Sequence, residues 1–159
     1  MTATLALKPL PEFVLAIDPG KNTGVCMLRR DNLKVVYLGT QTFYQVQLFI
    51  ARSFRDRSKV RIFIEHPPKI LYERNVSYLR DDELQIMLHA GGNRREAELL
   101  AECLTGRGFE VYLVPPIREE KWDQKRFTLA TGSHRRTSEH ERDATRLGMS
   151  YANWRKGFR

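Results

Sequence analysis

Cysteine is scarce in this sequence. Its two cysteines, Cys26 and Cys103, stand far apart and outside any C-x-x-C pattern. This excludes a disulfide framework and a zinc finger, which needs four ligands at short intervals. It predicts two buried thiols in a reducing compartment. Long apolar runs are also missing: no stretch approaches the ~18 residues of a membrane span. The opening MTATLALKPLP is too short and too weakly apolar for a secretory leader. The expectation is a cytoplasmic protein with no membrane contact. There are no internal repeats and no low-complexity segments. Acidic residues are in deficit, 19 Asp and Glu against 27 Lys and Arg, a net charge of +8. Residues 118–159 carry eleven Lys and Arg against six Asp and Glu, so the last quarter holds most of the excess. Such a chain suits a polyanionic partner, above all nucleic acid.

What is present is enough apolar material for a core: 42% of 159 residues, with eight Phe and six Tyr. We expect a loose arm over 1–12 and one domain over 13–159. Strands are predicted at Phe13–Asp18, Gly24–Arg30 and Lys34–Phe43, with gaps short enough for antiparallel pairing. Apolar residues at helical spacing follow over Tyr44–Arg57, then a strand at Val60–Glu65 stopped by His66-Pro67-Pro68. A short helix is expected near Asp82–His89 and a longer one over Asn93–Thr105. A strand at Glu110–Val114 and helices over Glu120–Thr131 and Ser138–Trp154 complete the pattern. Three antiparallel strands followed by two strands reached through helical crossovers predict a mixed α/β sheet flanked by helices.

Two apolar strands end in acids. Val14-Leu15-Ala16-Ile17 runs into Asp18, and VRIFI runs into Glu65. Ligand sites in α/β sheets lie at the carboxyl ends of parallel strands. If the two strands are neighbours, the carboxylates converge and repel unless a cation lies between them. Ser138 and Glu141 form an S-x-x-E capping box. His140 and Asp143, three residues apart, then share one face of the helix that begins there, with Leu147 on the same face. These two would complete a metal site with Asp18 and Glu65. The alternative is a solvated charged helix with Asp143 bonded to Arg146. Oxygen ligands with one imidazole suit Mg²⁺ or Mn²⁺. Two such ions about 4 Å apart activate water and stabilise a leaving oxygen in phosphodiester hydrolysis.

IDPGKNTGV, IFIEHP and HERDA, in that order, resemble the RuvC group of Holliday-junction resolvases in the RNase H-like superfamily. The short form with KWDQKRFTLATG before the last acids is similar to phage-encoded members, which would place the protein in a host cytoplasm. The resemblance implies an RNase H-like fold with a five-stranded mixed sheet and a homodimer whose two-fold axis matches that of a four-way junction. The helix at 93–105 resembles the family's dimer helix. It implies two Mg²⁺ ions per site, with Mn²⁺ as substitute, held by Asp18, Glu65, His140 and Asp143. It also implies paired symmetric nicks with 5′-phosphate and 3′-hydroxyl ends. The family often has aspartate where His140 stands, which leaves His140 as ligand or proton carrier. Lys69, Ile70, Leu71, Tyr72 and Arg74 fall where the family has a loop entering the junction, with Ile70, Leu71 and Tyr72 the wedge candidates. Lys21 and Asn22 beside Asp18, and Lys121, Lys125, Arg126, Arg135 and Arg136, are the candidate phosphate contacts. Lys121 and Lys125 are expected one helical turn apart. His134 has no assigned role. Two other readings stand beside this one: an RNase H-like nuclease acting on branched DNA or RNA hybrids, and a catalytically silent junction- or RNA-binding module.

Overall fold

A computed structural model describes residues 10–68 and 80–154. Five strands form one sheet: β1 (Phe13–Asp18), β2 (Thr23–Arg29), β3 (Val35–Gln41), β4 (Val60–Glu65) and β5 (Glu110–Val114). Their spatial order is β3-β2-β1-β4-β5. β1–β2 and β2–β3 pair antiparallel, while β1–β4 and β4–β5 pair parallel. β1 and β4 therefore lie side by side in the middle, and their apolar sequences reflect burial on both faces. Leu15, Ile17, Ile62 and Ile64 face one layer, packed by α1 (Phe43–Ser53) and α2 (Asp81–Gly106) through Val46, Ile50, Ala97, Leu100 and Leu104. Val14, Ala16 and Phe63 face the other, packed by Leu147 of α4 (Glu139–Tyr151). The short helix α3 (Gln124–Thr131) adds Phe127, fully buried against Cys26, Leu28 and Ala144. No helix among the described residues is long and apolar enough to cross a membrane.

Several boundaries differ from expectation, each for a local reason. Thr42 caps α1 reciprocally with Gln45, and the helix stops at Ser53 rather than reaching 57. Asp56 accepts from the Ser58 amide at 3.1 Å and starts a 3-10 turn instead. The helices expected at 82–89 and 93–105 are one helix, continuous through Gly91 and Gly92. Two interior glycines cost roughly 1 kcal/mol each. Three acids in the first turn and the buried Ala97, Leu100 and Leu104 offset this. α3 begins at Gln124 because Asp123 caps it, accepting from the Arg126 amide at 2.7 Å. The segment before it is held extended by arginines of α4. Arg146 Nη1 donates to the Glu119 and Glu120 carbonyls at 2.8 and 2.9 Å, and Arg142 Nε to the Trp122 carbonyl at 2.7 Å. Lys121 and Lys125 are therefore not one helical turn apart.

The end of the expected N-terminal arm is anchored. Arg30 donates its side chain to the Pro11 carbonyl and its amide to the Glu12 carbonyl, and Arg29 pairs with Glu12 at 2.9 Å. Of the two thiols, Cys26 is buried, and burial pushes its pKa up to about 12, which makes it inert. Cys103 is only half-buried, with its Sγ donating to Gln47 Oε1 at 3.0 Å.

Candidate functional site

The parallel register of β1 and β4 ends at Ile17↔Ile64, so Asp18 and Glu65 are the next residues on adjacent strands. Strand alternation turns both toward the α4 side of the sheet, with Ala16 and Phe63. Asp18 leaves the sheet through the buried Pro19 and through Gly20, whose φ of +152° suits glycine. Glu65 leaves through His66-Pro67-Pro68, which cannot continue the strand.

α4 supplies the rest. Ser138 and Glu141 form the expected reciprocal cap, with bonds of 3.1 and 2.8 Å, so the helix starts where its sequence says. Gly24 of β2, paired with Asp18 across the ladder, lets the first turn of α4 press onto the sheet. A Cβ at Gly24 would lie 2.1 Å from the His140 carbonyl oxygen. Farther along, Gly148 of α4 sits against Leu28 and Ala16, where a Cβ would meet their side chains at 2.9 and 3.2 Å. α4 thus lies close on β1 and β2, and His140 and Asp143 enter the same cleft as Asp18 and Glu65. The cleft has a volume of about 390 Å³, and Asn93, Lys121 and Arg146 also line it. α4 is not a solvated charged helix: Glu141, Asp143 and Arg146 are buried.

The electrostatics follow from three carboxylates in one partly desolvated cleft. Burial raises the Asp18 pKa even though His140 Nδ1 lies 3.0 Å from Asp18 Oδ2. The same bond raises His140 against the effect of its own burial. Burial, then the negative charges of Asp18 and Asp143, push Glu65 up to about 7. Glu65 has no hydrogen-bond or ion-pair partner among the described residues. Asp143 is held at 3.4 Å by Lys121 and at 3.5 Å by Arg146. Lys121 also bonds Glu139, which raises the ammonium pKa and lowers that of Glu139.

Three converging carboxylates and an imidazole have the donor chemistry of a hard divalent cation. They are not arranged as a ready coordination sphere: among the described residues no three His, Cys, Asp or Glu side chains form one. His140 latches Asp18, and Lys121 and Arg146 latch Asp143. Binding a cation here requires those contacts to open.

No protein-family model matches the chain, and no curated protein matches it. The site stands on its geometry.

The structure brings Asp18, Glu65, His140 and Asp143 together, with Lys121 beside them. Lys21 and Asn22 are exposed on the turn after Asp18. Lys125, Arg126 and Arg136 are exposed as well. Arg135 is exposed too, and it is also anchored. Its guanidinium donates to the Leu38 carbonyl at 2.8 Å and to Glu141 at 2.9 Å, so it fastens the α4 cap to β3. Lys69, Ile70, Leu71, Tyr72 and Arg74 lie outside the described residues. Sequence reasoning missed Gly24, Asn93 and Arg146. Gly24 stands inside the quoted IDPGKNTGV, but its contact is with a helix more than a hundred residues away. The Arg146 spacing to Asp143 was visible, whereas its hold on residues 119–120 was not.

Glu65 yields a stability prediction. Its carboxyl keeps its proton up to about pH 7 in the fold, but only to an ordinary 4.5 when unfolded. The native state binds more protons across that window, so metal-free protein loses stability as pH rises from 4.5 through 7. Glu65→Gln removes that loss. In EDTA at pH 8, urea unfolding should find the variant more stable by on the order of 1–2 kcal/mol, partial solvation reducing the full effect. The difference should shrink toward zero near pH 4. A variant no more stable than wild type at pH 8 would show that Glu65 carries no such repulsion.

Proposed function

We propose that this protein is a divalent-metal-dependent endonuclease of RNase H-like fold that nicks four-way DNA junctions in the manner of the RuvC group. One observation carries the reading: Asp18, Glu65 and Asp143 converge in one cleft at the carboxyl ends of adjacent parallel strands, in a chain of net charge +8. The β3-β2-β1-β4-β5 order, three antiparallel strands and then two parallel, supports the fold assignment.

Asp18, Glu65, Asp143 and His140 would hold two Mg²⁺ or Mn²⁺ ions. When bound, these supply an activated water and stabilise the departing 3′ oxygen. The chain's own groups have separate roles. His140, whose pKa the bond to Asp18 raises above its ordinary value, is the group placed to carry a proton in the cleft where it does not act as a ligand. Lys121, once released from Asp143, presents an ammonium to the phosphate. Lys21 and Asn22 line the approach beside Asp18. Lys125, Arg126 and Arg136 bind flanking phosphates without reading sequence. Water adds to phosphorus, the bond to the 3′ oxygen breaks, and the products are a 5′-phosphate and a 3′-hydroxyl. A homodimer would place two such sites on two strands.

A second reading is a silent junction- or RNA-binding module, which would use the same basic surface without cutting. One assay separates them. A labelled four-way junction and a linear duplex of the same arms are incubated in Mg²⁺, Mn²⁺ or EDTA. Paired symmetric nicks in the junction alone, lost in EDTA, are the expected result. Tight binding without cleavage would establish the silent module. Equal cleavage of flaps, RNA hybrids or linear DNA would retain the metal chemistry and discard junction selectivity.

A further inference from the structure

We propose that the central turns of α2, Asn93 to Glu98, form a positioning clamp that fixes the Asp18 turn relative to the Glu65 turn. The kinetic consequence rests on the nuclease reading above; the structural one does not.

The two site-bearing strands leave the sheet separately, and their mutual pairing ends at Ile17↔Ile64. α2 meets both exits. On one side, the Thr23 hydroxyl bridges the Gly20 carbonyl at 2.9 Å and Glu96 Oε1 at 3.2 Å, and the Gly20 backbone amide faces the same carboxylate. The Asn93 side chain lies against Gly20, where a Cβ would sit 3.2 Å from its Oδ1. On the other side, His66 Nε2 lies 3.1 Å from Glu98 Oε1. Arg94 pairs with that same oxygen at 3.2 Å and donates Nη1 to the Pro67 carbonyl at 3.0 Å. The first pair is spaced i,i+3 and the second i,i+4, so each faces one turn from consecutive levels of a single rigid helix. Ala97, between them, is fully buried and ties those levels to the core.

Glu96 is the informative member. It is half-buried, and no described cation pairs with it. A carboxylate in such a place is costly unless its acceptors are used. The contacts it makes are with the turn that follows Asp18. Glu96 does not line the cleft, so it acts through Asp18 and is a positioning residue rather than a catalytic one.

The test uses the full chain with Glu96→Ala, Glu96→Gln and Glu98→Ala. Single-turnover nicking of the four-way junction in Mg²⁺ should slow about 10–50-fold in both alanine variants, since small misplacements of reacting groups cost this much or more. Junction Kd, measured in EDTA, should stay within twofold. Glu96→Gln keeps an oxygen acceptor and should recover to within threefold of wild type. An Ala variant that nicks at the wild-type rate would overturn the clamp. Amide hydrogen exchange gives a readout that survives failure of the nuclease reading. Glu96→Ala should speed exchange of the Gly20 amide at least tenfold while the Ile62–Ile64 amides stay unchanged. Unchanged exchange at Gly20, or equal acceleration throughout the sheet, would overturn the proposal whether or not the wild type cuts DNA.

Discussion

Asp18→Asn, Glu65→Gln and Asp143→Asn are each expected to lower junction nicking by about 10³-fold or more while leaving junction binding intact. Each substitution keeps the shape of the side chain and removes one negative charge from the cleft that would hold the cations. Loss of an electrostatic element aimed at the reacting phosphate typically costs two to three orders of magnitude, and loss of a metal ligand more. Binding depends on other groups. Lys21, Lys125, Arg126 and Arg136 are exposed and would contact phosphate directly. Removing a carboxylate that faces DNA also reduces repulsion, so Kd in EDTA should be unchanged or slightly tighter. His140→Ala should cost less, roughly 10²-fold, if it moves a proton rather than holding an ion. Gel assays of nicking in Mg²⁺ beside binding in EDTA check all four. Wild-type cutting by any carboxylate variant would remove that residue from the metal set.

Gly24→Ala is expected to destabilise the fold by about 3 kcal/mol and to abolish nicking. The added Cβ would lie 2.1 Å from the His140 carbonyl oxygen and 2.4 Å from its carbon. Both are backbone atoms, so no rotamer change relieves the overlap, and the first turn of α4 must lift from β2. Overpacking of this kind costs typically 1–3 kcal/mol and occasionally more. In a domain of this size that is a fall of roughly 6–12 °C in Tm. His140 and Asp143 ride on that turn, so the site opens with it. Gly91→Ala is the contrast. Nothing lies within 4 Å of a Cβ there, and the position is interior to α2. It should stabilise by about 0.5–1 kcal/mol through helix propensity. Differential scanning calorimetry of both variants decides. A Gly24→Ala protein with the wild-type Tm would mean that α4 does not press on β2 as described.

The two glycines show why some features are readable in sequence and others are not. Strands β1, β4 and β5 appear in the sequence with the bounds they have in the fold, because short apolar runs closed by Asp-Pro-Gly, His-Pro-Pro or Pro-Pro leave little choice. The α4 start was equally plain, since Ser138 and Glu141 are local partners. The break expected near Gly91 and Gly92 did not occur, because burial of Ala97, Leu100 and Leu104 and the acidic first turn outweigh a propensity cost. The start of α3 was misplaced because Arg142 and Arg146, from a later helix, claim the carbonyls of residues 119, 120 and 122.

By itself the sequence determined a mixed α/β sheet, the ends of its central strands and the acids standing on them. Hydrophobic periodicity, turn residues and caps act within a few residues, and that range is where sequence speaks. Tertiary structure alone decided that β1 and β4 are neighbours and that Gly24 lets α4 bring Asp143 to Asp18 and Glu65. It also decided that His140, Lys121 and Arg146 latch two of those acids. It also gave Arg135 a fastening between Leu38 and Glu141. Most of these join residues about fifty to more than a hundred positions apart; the Arg146 contact with Asp143 is local, but the hold of Arg146 on the carbonyls of 119 and 120 is not. Such choices are settled by packing and desolvation over the whole sheet, which no local pattern encodes.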